Sequence, residues 1–166
     1  MRHLYALGRR RIAFVNGPER TAPGIARRLG YLDGLRACGL ERDATLVEVA
    51  ADFMLEPGRR AAERLLERAS PDAIFCANDL LALGVLAALR SSGIDVPTDV
   101  AVVGVDNTAL ADVSWPPLTS VDLGSHERAR IAAELLLKRI DRPGRRPRTI
   151  ALEPRLVVRA SCGASA

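Results

Sequence analysis

Short apolar runs and amphipathic stretches alternate along much of the chain, and each run predicts an element. Residues 11–15 read as a buried strand, stopped by Asn16-Gly17-Pro18. Ile25, Leu29, Leu32 and Leu35 follow at helical spacing, the pattern of an inward-facing stripe, and Gly39 ends that helix. Residues 46–49 form a second short strand. Residues 58–69 predict an arginine- and glutamate-laced helix that turns Ala62, Leu65 and Leu66 inward. Residues 73–76 and 100–105 are a third and a fourth strand, with a Leu- and Ala-rich helix over 80–89 between them that ends near Gly93. Strand and helix in strict alternation imply an α/β fold: a Rossmann-like parallel sheet flanked by helices.

The alternation breaks after residue 105. Ser114-Trp115-Pro116-Pro117 predicts an extended loop, because proline blocks helix and ladder alike. Residues 118–121 follow as a short strand. Ser125 is a candidate N-cap for a helix over 126–140, with Glu127 favourably placed in its first turn. That helix carries Ile131, Leu135, Leu136 and Ile140 as an apolar stripe. Pro143-Gly144-Arg145-Arg146-Pro147 reads as a turn, and residues 149–152 and 156–159 as two final strands separated by Glu153-Pro154.

The third and fourth strands end alike. Ala73-Ile74-Phe75-Cys76-Ala77-Asn78-Asp79 and Val102-Val103-Gly104-Val105-Asp106-Asn107 each deliver a carboxamide and a carboxylate just past a buried run. Ligands of open α/β sheets bind at that carboxyl edge. The arrangement implies a small-molecule sensor rather than a catalyst. His3 and His126 have no nucleophile elbow beside them, and the sequence contains neither a phosphate-cradling loop nor a dinucleotide fingerprint.

Composition narrows the reading further. The 166 residues suit about one domain. No run reaches the roughly 20 apolar residues needed to span a bilayer, and the first residues lack a secretory signal, so the expected compartment is the cytoplasm. The net charge of +4 raises nucleic acid as a partner, but Lys138 is the only lysine and the arginines are spread out. The tight clusters, Arg9 to Arg11 and Arg145-Arg146, read as solvated element ends. Cys38, Cys76 and Cys162 are odd in number and far apart, so neither a zinc site nor a disulfide framework is expected. No metal and no cofactor is expected.

Several stretches together resemble one family. Residues 11–17, Pro71 to Asp79, Val96-Pro97-Thr98-Asp99-Val100 running on to Asn107, Pro116-Pro117-Leu118-Thr119-Ser120-Val121 and Leu156-Val157-Val158-Arg159 are similar, in order, to the lactose-repressor (LacI/GalR) family of bacterial transcription regulators. That resemblance implies a periplasmic-binding-protein-like effector domain of two lobes, preceded in the family by a helix-turn-helix and a hinge. Residues 1–10 are similar to the end of a first-lobe helix and its crossover, and residues 11–113 to the second, C-terminal lobe. Residues 114–148 are similar to a crossover strand and helix of the first lobe, and 149–166 to the returning strands and tail. The expectation is a fragment without the helix-turn-helix, reaching operator DNA only through that missing segment, with no membrane partner.

The resemblance also implies a site. Arg27, three residues before Gly30, matches an arginine whose guanidinium fork grips polar ligand groups; a solvated helix arginine is the alternative. Asp106 matches an aspartate that accepts from two neighbouring hydroxyls. Asn78 can donate to and accept from a hydroxyl, or can cap the following helix. Phe53 stands where the family often has an aromatic platform for a ring face, or packs on the core. Asp79 reads as a cap, Asn107 as a turn residue, and Trp115 as interface packing. The implied effector is a sugar or another small polar metabolite, and the implied state a homodimer. A solute-binding protein of a sugar transporter with the same fold is the alternative function.

Overall fold

The computed structural model describes residues 1–142, 144 and 146–164. Its strands are β1 (Ile12–Asn16), β2 (Val47–Val49), β3 (Ala73–Cys76), β4 (Ala101–Val105), β5 (Thr119–Asp122) and β6 (Arg155–Val157). They form one sheet in the order β2-β1-β3-β4-β5-β6. The first five strands are parallel, and β6 closes the sheet antiparallel to β5. The helices are α1 (Arg2–Ala6), α2 (Ala22–Ala37), α3 (Leu55–Arg68), α4 (Asp79–Ser91), α5 (Ala109–Val113) and α6 (Ser125–Asp141). Every residue of β1 and β4 is buried, as expected for parallel strands covered on both faces.

Helix α2 turns only part of its expected stripe inward: Leu35 is buried and Leu32 packs against the core. Ile25 and Leu29 are 49% and 57% exposed, while Gly24, Tyr31 and Leu35 are buried. Tyr31 decides the rotation. Its ring stacks on Phe14 at 4.8 Å between centroids, and its hydroxyl donates to the Ile12 carbonyl at 2.9 Å. An aromatic ring that also satisfies its polar tip outcompetes Ile25 and Leu29 for the core.

Helices α3 and α4 cross closely, through glycine. A Cβ at Gly84 would overlap the Leu55 carbonyl and lie 2.5 Å from the Arg59 nitrogen, and one at Gly58 would lie 2.6 Å from the Leu81 carbonyl. At the outer edge, the Glu48 carboxylate of β2 is nearly buried and takes hydrogen bonds from Arg64 and Arg68. Arg68 also donates to the backbone carbonyls of Thr45 and Val47. Burial alone would raise the Glu48 carboxyl; the two arginines outweigh it and hold it below its ordinary value.

The second half of the chain departs from expectation in four places. Residues 109–113 form a short helix, anchored by the buried Ala111, whose carbonyl accepts from the Leu118 amide at 2.7 Å. The strand read at 118–121 as belonging to another lobe joins this sheet instead. Its Thr119 and Ser120 are fully buried, and Thr119 is bonded to Ser161 and Arg159. Gly124, at φ +66°, takes the cap position of α6, so Ser125 is the helix's first residue rather than its N-cap. Residues 149–152 form no strand, because among the described residues no neighbouring strand pairs with them. The last strand is limited to β6.

No residue of α6 is buried, and Leu136 and Ile140 are 61% and 64% exposed. Residues 148–152 run beside it, leaving a groove lined by Ile131, Leu135, Ile150 and Leu152. Pro143 and Arg145 of the turn read at 143–147, and Ser165 and Ala166 of the tail, lie outside the described residues. No helix among the described residues is long and apolar enough to cross a membrane.

Candidate functional site

The parallel strands β1, β2, β3 and β4 bring their carboxyl ends to one edge, and the four residues singled out from the sequence come from that edge. Arg27 lies in α2, which follows β1, and Phe53 lies in the loop after β2. Asn78 and Asp106 stand directly beyond β3 and β4.

Two of the four meet. Arg27 Nη2 donates to Asp106 Oδ1 at 3.2 Å, with their side chains 19% and 35% exposed. Arg27 Nε is buried with no partner among the described residues. The pair joins a donor fork to a carboxylate, both side chains still partly exposed, which suits a ligand with adjacent hydroxyls. Asp106 sits at φ +105° and Asn107 at φ +50°, a left-handed bend that non-glycine residues rarely adopt.

Asn78 and Phe53 are joined to each other instead. Asn78 Oδ1 accepts from the Leu81 amide at 2.9 Å, so it caps α4, and its Nδ2 donates to the Phe53 carbonyl at 3.0 Å. The Phe53 ring lies against Gly17, in the space a Cβ there would need. Asn78 therefore fixes the loop that carries the aromatic ring, and keeps one amide hydrogen for other partners.

Asn107 serves the turn: its Oδ1 accepts from Arg159 at 2.9 Å. Trp115 is 79% exposed. The residue whose role the sequence understated is Asp79. It is buried, and its carboxylate bonds Thr108 and Ser120 rather than its own helix. Asn16 is likewise buried, donating to the Gly24 carbonyl in the first turn of α2. No cluster of three or more metal-ligating side chains is found among the described residues.

Burial pushes the Asp106 carboxyl above its ordinary value of 3.8 and Asp79 adds to that, while Arg27 pulls the other way without cancelling it. The native state therefore binds this proton more tightly than the unfolded chain does. Stability contributed at this position falls as pH rises from 3.8 through the native value. Asp106→Asn keeps an acceptor for Arg27 and removes that slope. Paired thermal melts across the acid range should show the variant gaining on the wild type as pH rises. Parallel curves would mean that the carboxyl is not desolvated.

The chain matches the family described as periplasmic binding protein-like domain over residues 1–162. It is 43% identical to the HTH-type transcriptional regulator CelR of Thermobifida fusca, over 95% of this chain and 46% of that protein. It is 37% identical to the HTH-type transcriptional repressor CytR of Escherichia coli K12, over 81% of this chain and 40% of that protein. The chain thus spans about half the length of the curated relatives it matches. Among solved structures, the complex of the transcriptional regulator CelR with cellobiose superposes with a TM-score of 0.90 at 42% identity, covering 96% of this chain and 49% of that one. A LacI-family regulator from Sanguibacter keddieii gives 0.89 at 40%, covering 98% and 61%. The chain belongs to the periplasmic-binding-protein-like domain family, in the branch carried by LacI-type transcriptional regulators.

Proposed function

We propose that the chain is the effector-sensing part of a LacI-type repressor, binding a sugar or small polar metabolite between Arg27, Phe53, Asn78 and Asp106. The observation that carries this reading is the partly exposed Arg27–Asp106 pair at the carboxyl edge. The sugar class is supported by the CelR neighbour, whose complex contains cellobiose. On this reading the chain binds and does not catalyse, works in the cytoplasm, and needs no cofactor. The relatives named above are regulators, which favours this reading over the solute-binding protein of a transporter. Residues 11–113, together with β5 and β6, form the second lobe, and α6 belongs against the first. Calorimetric titration of the intact regulator with cellobiose and other neutral disaccharides tests the site, because this chain supplies only half of the two-lobed cleft and should bind weakly by itself. Heats that saturate in wild type and vanish in Arg27→Ala are expected, and identical isotherms would refute the assignment.

DNA contact is assigned to a helix-turn-helix outside these residues, so the chain alone should not tell operator from scrambled duplex in a gel shift at physiological salt. Bands that discriminate between the two would overturn this. Nonspecific retardation at low salt would reflect only the arginine excess.

Residues 148–152 flank Ile131 and Leu135 of the α6 stripe, but Leu136 and Ile140 are left exposed, a condition soluble monomers rarely tolerate when such residues form a patch. The chain is therefore expected to form a homodimer that covers them. Light scattering over a dilution series should show the dimer mass. A monodisperse monomer at tens of micromolar, with α6 protected from hydrogen exchange, would refute the expectation.

A further inference from the structure

We propose that Asp79 is a positioning residue for the effector loop, holding residues 105–108 in the bend that presents Asp106 to Arg27. The inference rests on reading Asp106 as the ligand group, and it adds the layer behind it.

Asp79 is 1% exposed, and its two oxygens accept three hydrogen bonds. Oδ2 takes the Thr108 amide at 2.7 Å and the Thr108 hydroxyl at 3.0 Å, and Oδ1 takes the Ser120 hydroxyl at 2.5 Å. Ser120 closes the circuit, because its Oγ accepts from the Asn107 amide at 3.0 Å. The bend at Asp106 and Asn107 therefore has its following residue tied to α4 and its own amides tied to β5, where Asp106 N–H reaches the Val121 carbonyl at 2.9 Å. Non-glycine residues at positive φ persist only where their surroundings over-determine them, and these bonds supply that constraint.

Capping does not account for Asp79. The N-cap of α4 is Asn78, which takes the Leu81 amide. The strand has also been fitted to the carboxylate: a Cβ at Gly104 would stand 2.5 Å from Asp79 Oδ1. A binding group is held to useful precision only when a supporting shell locks it, and Asp79, Thr108 and Ser120 form that shell.

Amide hydrogen exchange on the whole chain tests the proposal, with Asp79→Ala, Asp79→Asn and Ser120→Ala beside the wild type. In Asp79→Ala the Thr108 amide should exchange about 10- to 100-fold faster, the factor implied by losing a hydrogen bond to a charged group. Val102 and Val103, in the middle of β4, should keep their protection. Asp79→Asn retains one acceptor and should fall between. Ser120→Ala should speed Asn107 while Thr108, still bonded to Asp79, stays slow. Should Asp79→Ala fail to fold, the other two variants decide. Unchanged Thr108 exchange, or equal acceleration at Thr108 and Val102, would overturn the proposal, the latter because it marks a residue of general stability only. A localised loosening combined with a cellobiose titration insensitive to Asp106→Ala would uphold the positioning role and remove the ligand role instead.

Discussion

Asp106→Ala is expected to weaken effector binding in the intact regulator about 100-fold, close to 2.7 kcal/mol. The loss has two parts. The ligand forfeits a carboxylate acceptor, and Arg27, whose side chain is only 19% exposed, is left without its charge partner. Arg27→Ala should cost a similar amount for the mirror-image reason. Because the two groups touch, their effects should not add, and the double variant should lose clearly less than the sum. Release from operator DNA, titrated with effector in all three variants, gives the full cycle. An unchanged midpoint for Asp106→Ala would remove the site, and strict additivity would remove the pairing.

Gly84→Ala is expected to cost about 3 kcal/mol of folding stability, at the upper end for an overpacked interior. The added methyl would meet the Leu55 carbonyl and the Arg59 nitrogen, which are backbone atoms of the facing helix and cannot swing aside as a side chain can. Relief requires α3 and α4 to separate along a crossing that buries Ala61, Ala62, Leu65, Leu81 and Val85. Gly30→Ala is the control. Nothing lies within 4 Å of a Cβ there, and alanine in an exposed helix should stabilise by about 0.5–1 kcal/mol. Denaturant midpoints measure both. A Gly84→Ala loss below about 1 kcal/mol would mean that the crossing is looser than described.

Strand β3 was legible residue for residue, because a strand buried on both faces is written as an uninterrupted apolar run and Asn78 marks its end. Helix α2 was legible as a helix and only partly in its rotation, since Leu32 and Leu35 face the core and Ile25 and Leu29 do not. Apolar residues line two neighbouring stripes, and the stacking of Tyr31 on Phe14 that selects between them is a contact between distant segments. Residues 149–152 look like a strand by composition, yet strand formation depends on a partner that no local pattern encodes. Arg27 and Asp106 were found through resemblance, and the fold adds their contact across 79 residues of chain. Asp79 has the local signature of a cap, since its partners Thr108 and Ser120 lie 29 and 41 positions away and leave no trace in the neighbouring sequence. Asn78 was ambiguous between ligand and cap, and its oxygen does cap while its nitrogen fixes the Phe53 loop.

The arginine cover on β2 bears on how the folded protein behaves at high concentration. An open sheet recruits foreign chains where unpaired backbone groups line its rim. On the β2 side, Arg68 occupies the carbonyls of Thr45 and Val47, and its charge, with that of Arg64, stands over the strand. An incoming strand would have to displace both arginines and leave the Glu48 carboxylate buried without them. Fibril-like growth from the native state is thereby confined to the opposite rim, where β6 offers only the three residues Arg155–Val157.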